Sequence, residues 1–582
     1  MSDTLLESYV EKNQLQLNDK AASTSSIILN GSELTIPQLV DIARCSFDSP
    51  TKVELTHDPQ IVKKMKESCE FIDKVVREAQ PLYGVTTLFG GMAYKSITNQ
   101  YQDACDLQNN MLFFHKTGAG CYLPLEDVRA AMVLRANSHL VGVSGIRIDI
   151  VERLLLFVNQ QVTPFVPEFG SIGASGDLIP LTYIAGSLCG VNETFSVDVR
   201  GKTMTAIEAL KELDLEPISL LPKEGLAMLN GTSMMTASAA LATYDLKILI
   251  AATLHIHALA IQAMLGNTMP FHPFIHEKKP HKGQKYVART MCDLLNESKM
   301  INCCLDGKHI MIPNVLIQNR YSLRCIPQYL GPFIEALDQI TQTIEIEMNS
   351  ANDNPLIDTE NEKAYSAGNF FGEHVSTSMD RLRYIVGLIS KHTDVQMAQL
   401  VTAEFSNGLP ACLIANPERT VNMGVKGLQL CGNAIMPYLL FMGNSIADRY
   451  ATYAEQYNQN INTLGQMSAT LARRSTMIMK QHVAIALMIC VQAVDLRTHL
   501  ILKDTYDARE LLSPLTSHTY EAIRELIKVQ IRKDKPYIWN DNEQALDEHI
   551  KLIADNLTNK NSTIYKALQP TIEQLSNVKI CN

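Results

Sequence analysis

Ala174-Ser175-Gly176 lies in the stretch PEFGSIGASGDLIPL, where Gly170 to Gly176 hold three glycines, one alanine and two serines, and only Ile172 has bulk. So little side chain, between an extended run and Asp177, which could open a helix, permits a compressed backbone that larger residues forbid. A phosphate loop would need G-x-x-x-x-G-K-[ST], and no lysine follows these glycines. A nucleophile elbow would need G-x-S-x-G, and the window around Ser175 ends in Asp177. The spacing also fails the dinucleotide fingerprint. Two readings remain: a plain glycine-rich turn before a helix, which the short stretch alone favours, or backbone chemistry. In the second, a sharp bend presses the Gly176 amide nitrogen against the Ala174 carbonyl carbon. Ring closure with loss of water, including the Ser175 hydroxyl, would leave an electrophilic methylene on a five-membered ring. A helix N-terminus beyond it would stabilise negative charge on that ring.

Other motifs decide between them. YGVTTLFGG, LPKEGLAMLNGTS, LIQNRYSLRCIPQYLGP, NSANDNPLID, AGNFFGEHV and AEQYNQNIN follow one another along the chain. In this order they resemble the aromatic amino acid ammonia-lyases, which carry a 4-methylidene-imidazol-5-one (MIO) ring built from Ala-Ser-Gly. The similarity is greatest to compact bacterial phenylalanine ammonia-lyases of the cyanobacterial type. It runs from about Ile27 to PYIWNDNEQALDEHI near the C-terminus, without the C-terminal insertion of plant enzymes.

The resemblance implies an autocatalytic MIO from Ala174-Ser175-Gly176, no metal, and a set of site residues. Tyr83 would take the β-proton, and a free phenol with a pKa near ~10 needs positive charge or hydrogen bonds to activate it. Arg324 would anchor the carboxylate, a task that suits a bidentate guanidinium, and Tyr321, three residues earlier, would share its helical face. Leu226, Asn230, Gln318, Asn354, Phe370, Lys426, Glu455, Asn458 and Gln459 match further positions lining the site, with Glu455 a partner for the amine and Phe370 packed near the ring. A helical scaffold that had lost activity would show erosion at Tyr83, Ser175 or Arg324, and all three are intact.

Ring selectivity in the family depends on two adjacent residues, here Phe114-His115. Phenylalanine lyases typically show Phe-Leu, tyrosine lyases His-Leu and histidine lyases Ser-His. Gln459 stands where histidine lyases usually place Glu, which moves L-histidine to third place. Phe114 offers no partner to a tyrosine hydroxyl, and an unpaired buried hydroxyl is costly. L-phenylalanine therefore ranks first, and tyrosine or a ring-substituted phenylalanine, with His115 supplying the hydrogen bond, second. Leu88 replaces a usual glycine near the proposed base, Ala367 replaces another, and the segment 310–316 is apolar where relatives carry charge. A 2,3-aminomutase using the same ring differs in how long it retains the acrylate, which follows lid mobility.

These residues need a scaffold, and 582 residues can bury a large core. Beyond about residue 225 helical patterns dominate: in FIEALDQITQTIEIEM, Ile334, Leu337, Ile340, Ile344 and Met348 step by threes and fours. QHVAIALMICVQAVDL is apolar almost all round and belongs inside a bundle. The expected fold is mainly α, a long central helical bundle with an N-terminal MIO-bearing domain of helices and Gly-rich loops. Its expected parts are a flexible arm (1–26), the MIO domain with the catalytic Tyr loop (27–221), the bundle (222–530) and a C-terminal helical segment (531–582).

A net charge of −10 with no basic stripe argues against a nucleic-acid partner. The apolar stretches 237–266 and 483–494 read as buried helices, not membrane spans, and the first residues lack a signal-peptide pattern. Thirteen cysteines without a C-x-x-C pair fit reduced thiols in the cytoplasm; Cys303 and Cys304, being adjacent, suit neither a metal nor a relaxed disulfide. His272 and His276 are separated by Pro273, and His255 and His257 face different sides of a helix, so neither pair makes a metal face. The family resemblance further implies a homotetramer with each site assembled from three chains.

Overall fold

The computed structural model describes residues 26–97, 101–301, 304–305, 308–309, 318–450, 453–578 and 580. The expected arm up to residue 25, the apolar segment 310–316 and Cys303 lie outside them. Packing divides the chain into two compact units. One holds the residues up to Ala237 with Glu347–Phe371 and Tyr453–Asn460; the other holds Ser238–Ile346, Gly372–Thr452 and Ile461–Asn582. The division follows contacts, not chain order. Residues 531–582 pack within the second unit, and two later segments return to the first.

The first unit mixes helices with small sheets. Four of its helices position the site: α1 (Tyr101–Phe114), α2 (Leu125–His139), α3 (Leu178–Cys189) and α4 (Glu224–Leu229). Leu-rich α3 is buried through most of its length and stops at Gly190, whose φ of +65° is the left-handed cap that glycine tolerates. Just before it, the strand Pro167–Phe169 pairs antiparallel with Ala119–Tyr122. This gives the Ala-Ser-Gly loop its expected setting, between an extended run and a helix. A further helix, α5 (Ser233–Ala263), continues from the first unit into the second.

The second unit is a helical bundle. Its principal members are α6 (Lys282–Leu295), the single turn α7 (Tyr321–Arg324), α8 (Ile326–Met348), α9 (Glu373–Val401), α10 (Lys426–Met442) and α11 (Gly465–Leu502). The α8 stripe Ile334, Leu337, Ile340, Ile344 and Met348 is buried throughout, as its spacing predicts. Every residue of α11 from Val483 to Val494 is buried too. Among the described residues two helical stretches are long and apolar enough to cross a membrane, 224–263 and Gly465–Leu502, and they are 94% and 78% buried over their most apolar windows.

The histidines raised as metal candidates do other work. His255 lies between the hydroxyls of Thr519 and Thr571, and His257 Nδ1 meets Gln396 Oε1 at 2.6 Å. His276 bonds the Pro270 carbonyl and Gln284, while His272 Nδ1 accepts the Phe274 N–H. Among the described residues no group of three or more His, Cys, Asp and Glu could hold a metal ion.

Candidate active site

The Ala174-Ser175-Gly176 backbone is pinned on several sides. Gly176 has φ +69°, and a Cβ there would overlap the backbone of Gly231. The next amide, Asp177 N–H, donates to the Gly231 carbonyl at 2.8 Å. Asn230 Nδ2 donates to the Ser175 carbonyl at 2.9 Å, and Ser171 Oγ donates to the Gly176 carbonyl at 3.1 Å. Gly231 itself is held close by the buried Arg135 guanidinium and Asn352. The Gly-Thr-Ser turn at 231–233 is therefore the anvil against which the tripeptide is bent, and only glycine fits on either side of the contact.

Asp177 stands at the N-cap position of α3, yet its carboxylate does not cap that helix. It reaches Met235 N–H in the first turn of α5 at 2.8 Å and accepts from Ser171 Oγ at 2.9 Å. Burial pushes its pKa up to about 7, against these bonds and the charge of Arg135. Asp177 thus ties the tripeptide to the start of α5 (where backbone donors are unpaired), a role its sequence position did not suggest.

Tyr83 lies in a turn closed by Gly84 (φ +66°) and a short paired segment in which Leu88 N–H donates to the Lys95 carbonyl. Leu88 is half-buried in that pairing. The Tyr83 hydroxyl accepts the Gly90 N–H at 3.0 Å. Burial, the largest influence, raises the phenol's pKa; the Gly90 bond lowers it and Glu455 raises it. Of the two activators expected for Tyr83, positive charge or hydrogen bonds, these influences include the Gly90 hydrogen bond, and the charge among them is the anion Glu455. Glu455 packs on Gly90 and Gly91 from a turn in which Glu455, Gln456 and Tyr457 all have positive φ. Burial raises the Glu455 pKa and a hydrogen bond from Gln459 opposes this. Asn458 closes the same turn, its N–H donating to the Glu455 carbonyl at 3.0 Å.

Sequence reasoning overlooked Gln108. Fully buried on α1, it donates to the Gly84 carbonyl at 2.8 Å and accepts the Leu226 N–H at 2.9 Å, joining the Tyr83 loop to α4. Leu226 in turn packs against Gly84. Phe114 ends α1 and is 53% exposed, with the His115 ring 4.2 Å from its own. Burial pushes the His115 pKa down to about 4, and its Nδ1 is buried without a partner. Asn354 is buried, its Oδ1 accepting the Ala367 N–H at 2.7 Å, and Phe370 is half-buried.

Four candidates belong to the second unit. Gln318 and Lys426 are exposed, the latter opening α10. On α7, Arg324 places its guanidinium 4.4 Å from the centre of the Tyr321 ring, so the pair does share a face. Tyr321 is 72% exposed, while Arg324 Nε is buried and has no partner.

The bent Ala-Ser-Gly segment, with a glycine cradle and a donor on its serine carbonyl, fits an MIO ring. A mainly helical chain that carries such a segment has the makings of an ammonia-lyase acting on aromatic amino acids. The chain belongs to the aromatic amino acid lyase family, whose profile matches residues 34–525. It is 53% identical over 536 residues to a phenylalanine ammonia-lyase of Nostoc punctiforme, covering 92% of this chain and 93% of the relative. It is 40% identical to an aromatic ammonia-lyase of Loktanella atrilutea, covering 94% and 98%. Its fold matches the solved phenylalanine aminomutase of Pantoea agglomerans with a TM-score of 0.81 at 30% identity, covering 93% and 100%.

Proposed function

We propose that this enzyme eliminates ammonia from L-phenylalanine to give trans-cinnamate, on an MIO ring formed from Ala174-Ser175-Gly176. The observation that carries the reading is the pinned tripeptide: Gly176 packed on Gly231, with Asn230 donating to the Ser175 carbonyl. Such compression brings an amide nitrogen toward the carbonyl carbon two residues back and so favours cyclisation. The relative named phenylalanine ammonia-lyase supports the same chemistry. Once formed, the ring supplies the electrophile that makes the substrate amine a competent leaving group.

The chain's own residues do the rest. Asn230 donates to the oxygen the ring would carry and draws electron density away from the methylene. Tyr83, deprotonated, takes the β-proton, and the Gly90 N–H on its oxygen stabilises the phenolate. Arg324 holds the carboxylate through its unpartnered Nε side, with Tyr321 alongside. Glu455 faces the amine and accepts its proton. Phe114 presents an apolar wall with no partner for a phenolic hydroxyl, which favours phenylalanine over tyrosine. Leu226, Gln318, Asn354, Phe370, Lys426, Asn458 and Gln459 complete the lining.

The working form is a cytoplasmic homotetramer. Apolar side chains such as Phe441 (73% exposed) and Leu430 (62% exposed) on α10 support an assembly that would cover them. The aminomutase likeness supports a second reading, in which the same site re-adds ammonia at the β-carbon. Intact mass of the purified protein tests the ring: the chain should weigh two waters less than its sequence. Ser175→Ala should restore the full mass and abolish cinnamate formation. Wild-type turnover by that variant would defeat the proposal.

A further inference from the structure

We propose that His392 and Gln396, on α9, are positioning residues for the substrate carboxylate, holding the Ser322 carbonyl and through it the Tyr321/Arg324 pair. The inference rests on the reading of Arg324 as the carboxylate anchor.

A helix of one turn does not hold itself, because nucleation fixes several dihedrals for very few hydrogen bonds. α7 is such a turn, four residues long. Its second residue, Ser322, is gripped by three side chains. His392 Nε2–H and Gln396 Nε2–H both donate to the Ser322 carbonyl at 2.7 Å, and Ser322 Oγ–H donates to Gln399 Oε1 at 2.8 Å. Positions 392, 396 and 399 fall on one face of α9. All three side chains are less than a tenth exposed, so their bonds to Ser322 are made away from water, His392 Nδ1 being left without a partner.

The direction of every bond in the cluster follows from its acceptors. A carbonyl only accepts, so His392 carries its proton on Nε2. Gln396 has its amide nitrogen on Ser322 and its oxygen on His257, so His257 Nδ1–H must donate. The rings of His257 and Tyr329 each lie 4.6 Å from the His392 ring and fix its plane. Gln399 also donates to the Phe405 carbonyl at 3.2 Å, and the Phe405 ring takes the Arg320 guanidinium at 4.4 Å. The residue before α7 is thereby tied to the same support. What the cluster leaves open is Arg324 Nε, buried and unpartnered beside Tyr321. A bidentate grip on a carboxylate depends on the orientation of the guanidinium fork, so a shift of the Ser322 carbonyl becomes a misaimed Arg324.

The test compares trans-cinnamate, which carries the carboxylate, with cinnamyl alcohol, which lacks it, as inhibitors of the full-length enzyme. His392→Leu should raise KM for L-phenylalanine and the inhibition constant of cinnamate by about tenfold or more, since misplacement by about 1 Å costs up to ~100-fold. It should leave cinnamyl alcohol binding and the two-water mass loss unchanged. His392→Gln, whose amide reaches equally far and still donates, should restore the wild-type constants. Ser322→Ala, the milder variant, removes only the Gln399 bond and should shift cinnamate in the same direction by a smaller factor. Equal weakening of both inhibitors, or of neither, in the folded variants would overturn the positioning role. Arg324→Ala separates the underlying reading. If it weakens cinnamate while the α9 and Ser322 variants do not, the positioning role alone fails; if it does not, the anchor assignment fails and takes this inference with it.

Discussion

Tyr83 must lose a proton to act, and its surroundings oppose that: burial and Glu455 raise its pKa, with only the Gly90 N–H pulling the other way. Turnover should therefore climb into the alkaline range. Removing the nearby anion favours the phenolate, so Glu455→Gln should move the inflection of the rising limb of the kcat/KM–pH profile to lower pH, even as the amine contact is weakened. An unmoved inflection would exclude Tyr83 as the titrating base. Tyr83→Phe should cut kcat by about 100- to 10,000-fold, the usual contribution of a general base, with the two-water mass loss retained. At this scale the sequence named Tyr83, Asn230 and Arg324 only through the family resemblance; each alone reads as a turn or surface residue. Gln108 escaped because a glutamine on a helix ordinarily faces water, and nothing local marks it as fully buried. The resemblance put Glu455 in the same site as Tyr83, 372 positions away in sequence (455 − 83), but as a partner for the amine; that its charge raises the phenol's pKa shows only in the fold.

The long helices were legible because apolar residues recur at helical spacing, as on α8, or run almost all round, as on α11. The small strands, two to four residues each, were not, since so short a run carries no periodicity of its own. Asp177 shows a subtler limit: an acidic residue before an apolar run predicts a cap, and the residue is at the cap position, but its carboxylate serves the first turn of α5 instead. Where α6 crosses α8, the close approach of the two helices accounts for two glycines. A Cβ on Gly331 would lie 2.6 Å from the Gln284 nitrogen, and one on Gly283 would overlap the Gly331 carbonyl. Gly331→Ala should therefore destabilise the protein by about 1–3 kcal/mol through overpacking, read as a lower midpoint in thermal or denaturant unfolding. An unchanged midpoint would show that the two helices separate freely.

At the scale of the molecule, the linear partition expected from motif order differs from the units built by contact, with the 347–371 and 453–460 segments returning to the first unit. Motif order cannot reveal this, because long-range packing decides it. Phe441 and Leu430 on α10 lie open in the single chain, and the proposed tetramer covers them. Phe441→Asp should lower the mass measured by light scattering and cost activity in proportion, with ring formation tracked separately by intact mass. A tetramer of full activity would remove α10 from the interface. The most direct measurement of the central claim is a competition among L-phenylalanine, L-tyrosine and L-histidine in one reaction, with the products resolved by chromatography. Trans-cinnamate should dominate, with coumarate minor and urocanate least. A β-amino acid as the main product, or no acrylate from protein that carries the two-water mass loss, would contradict it.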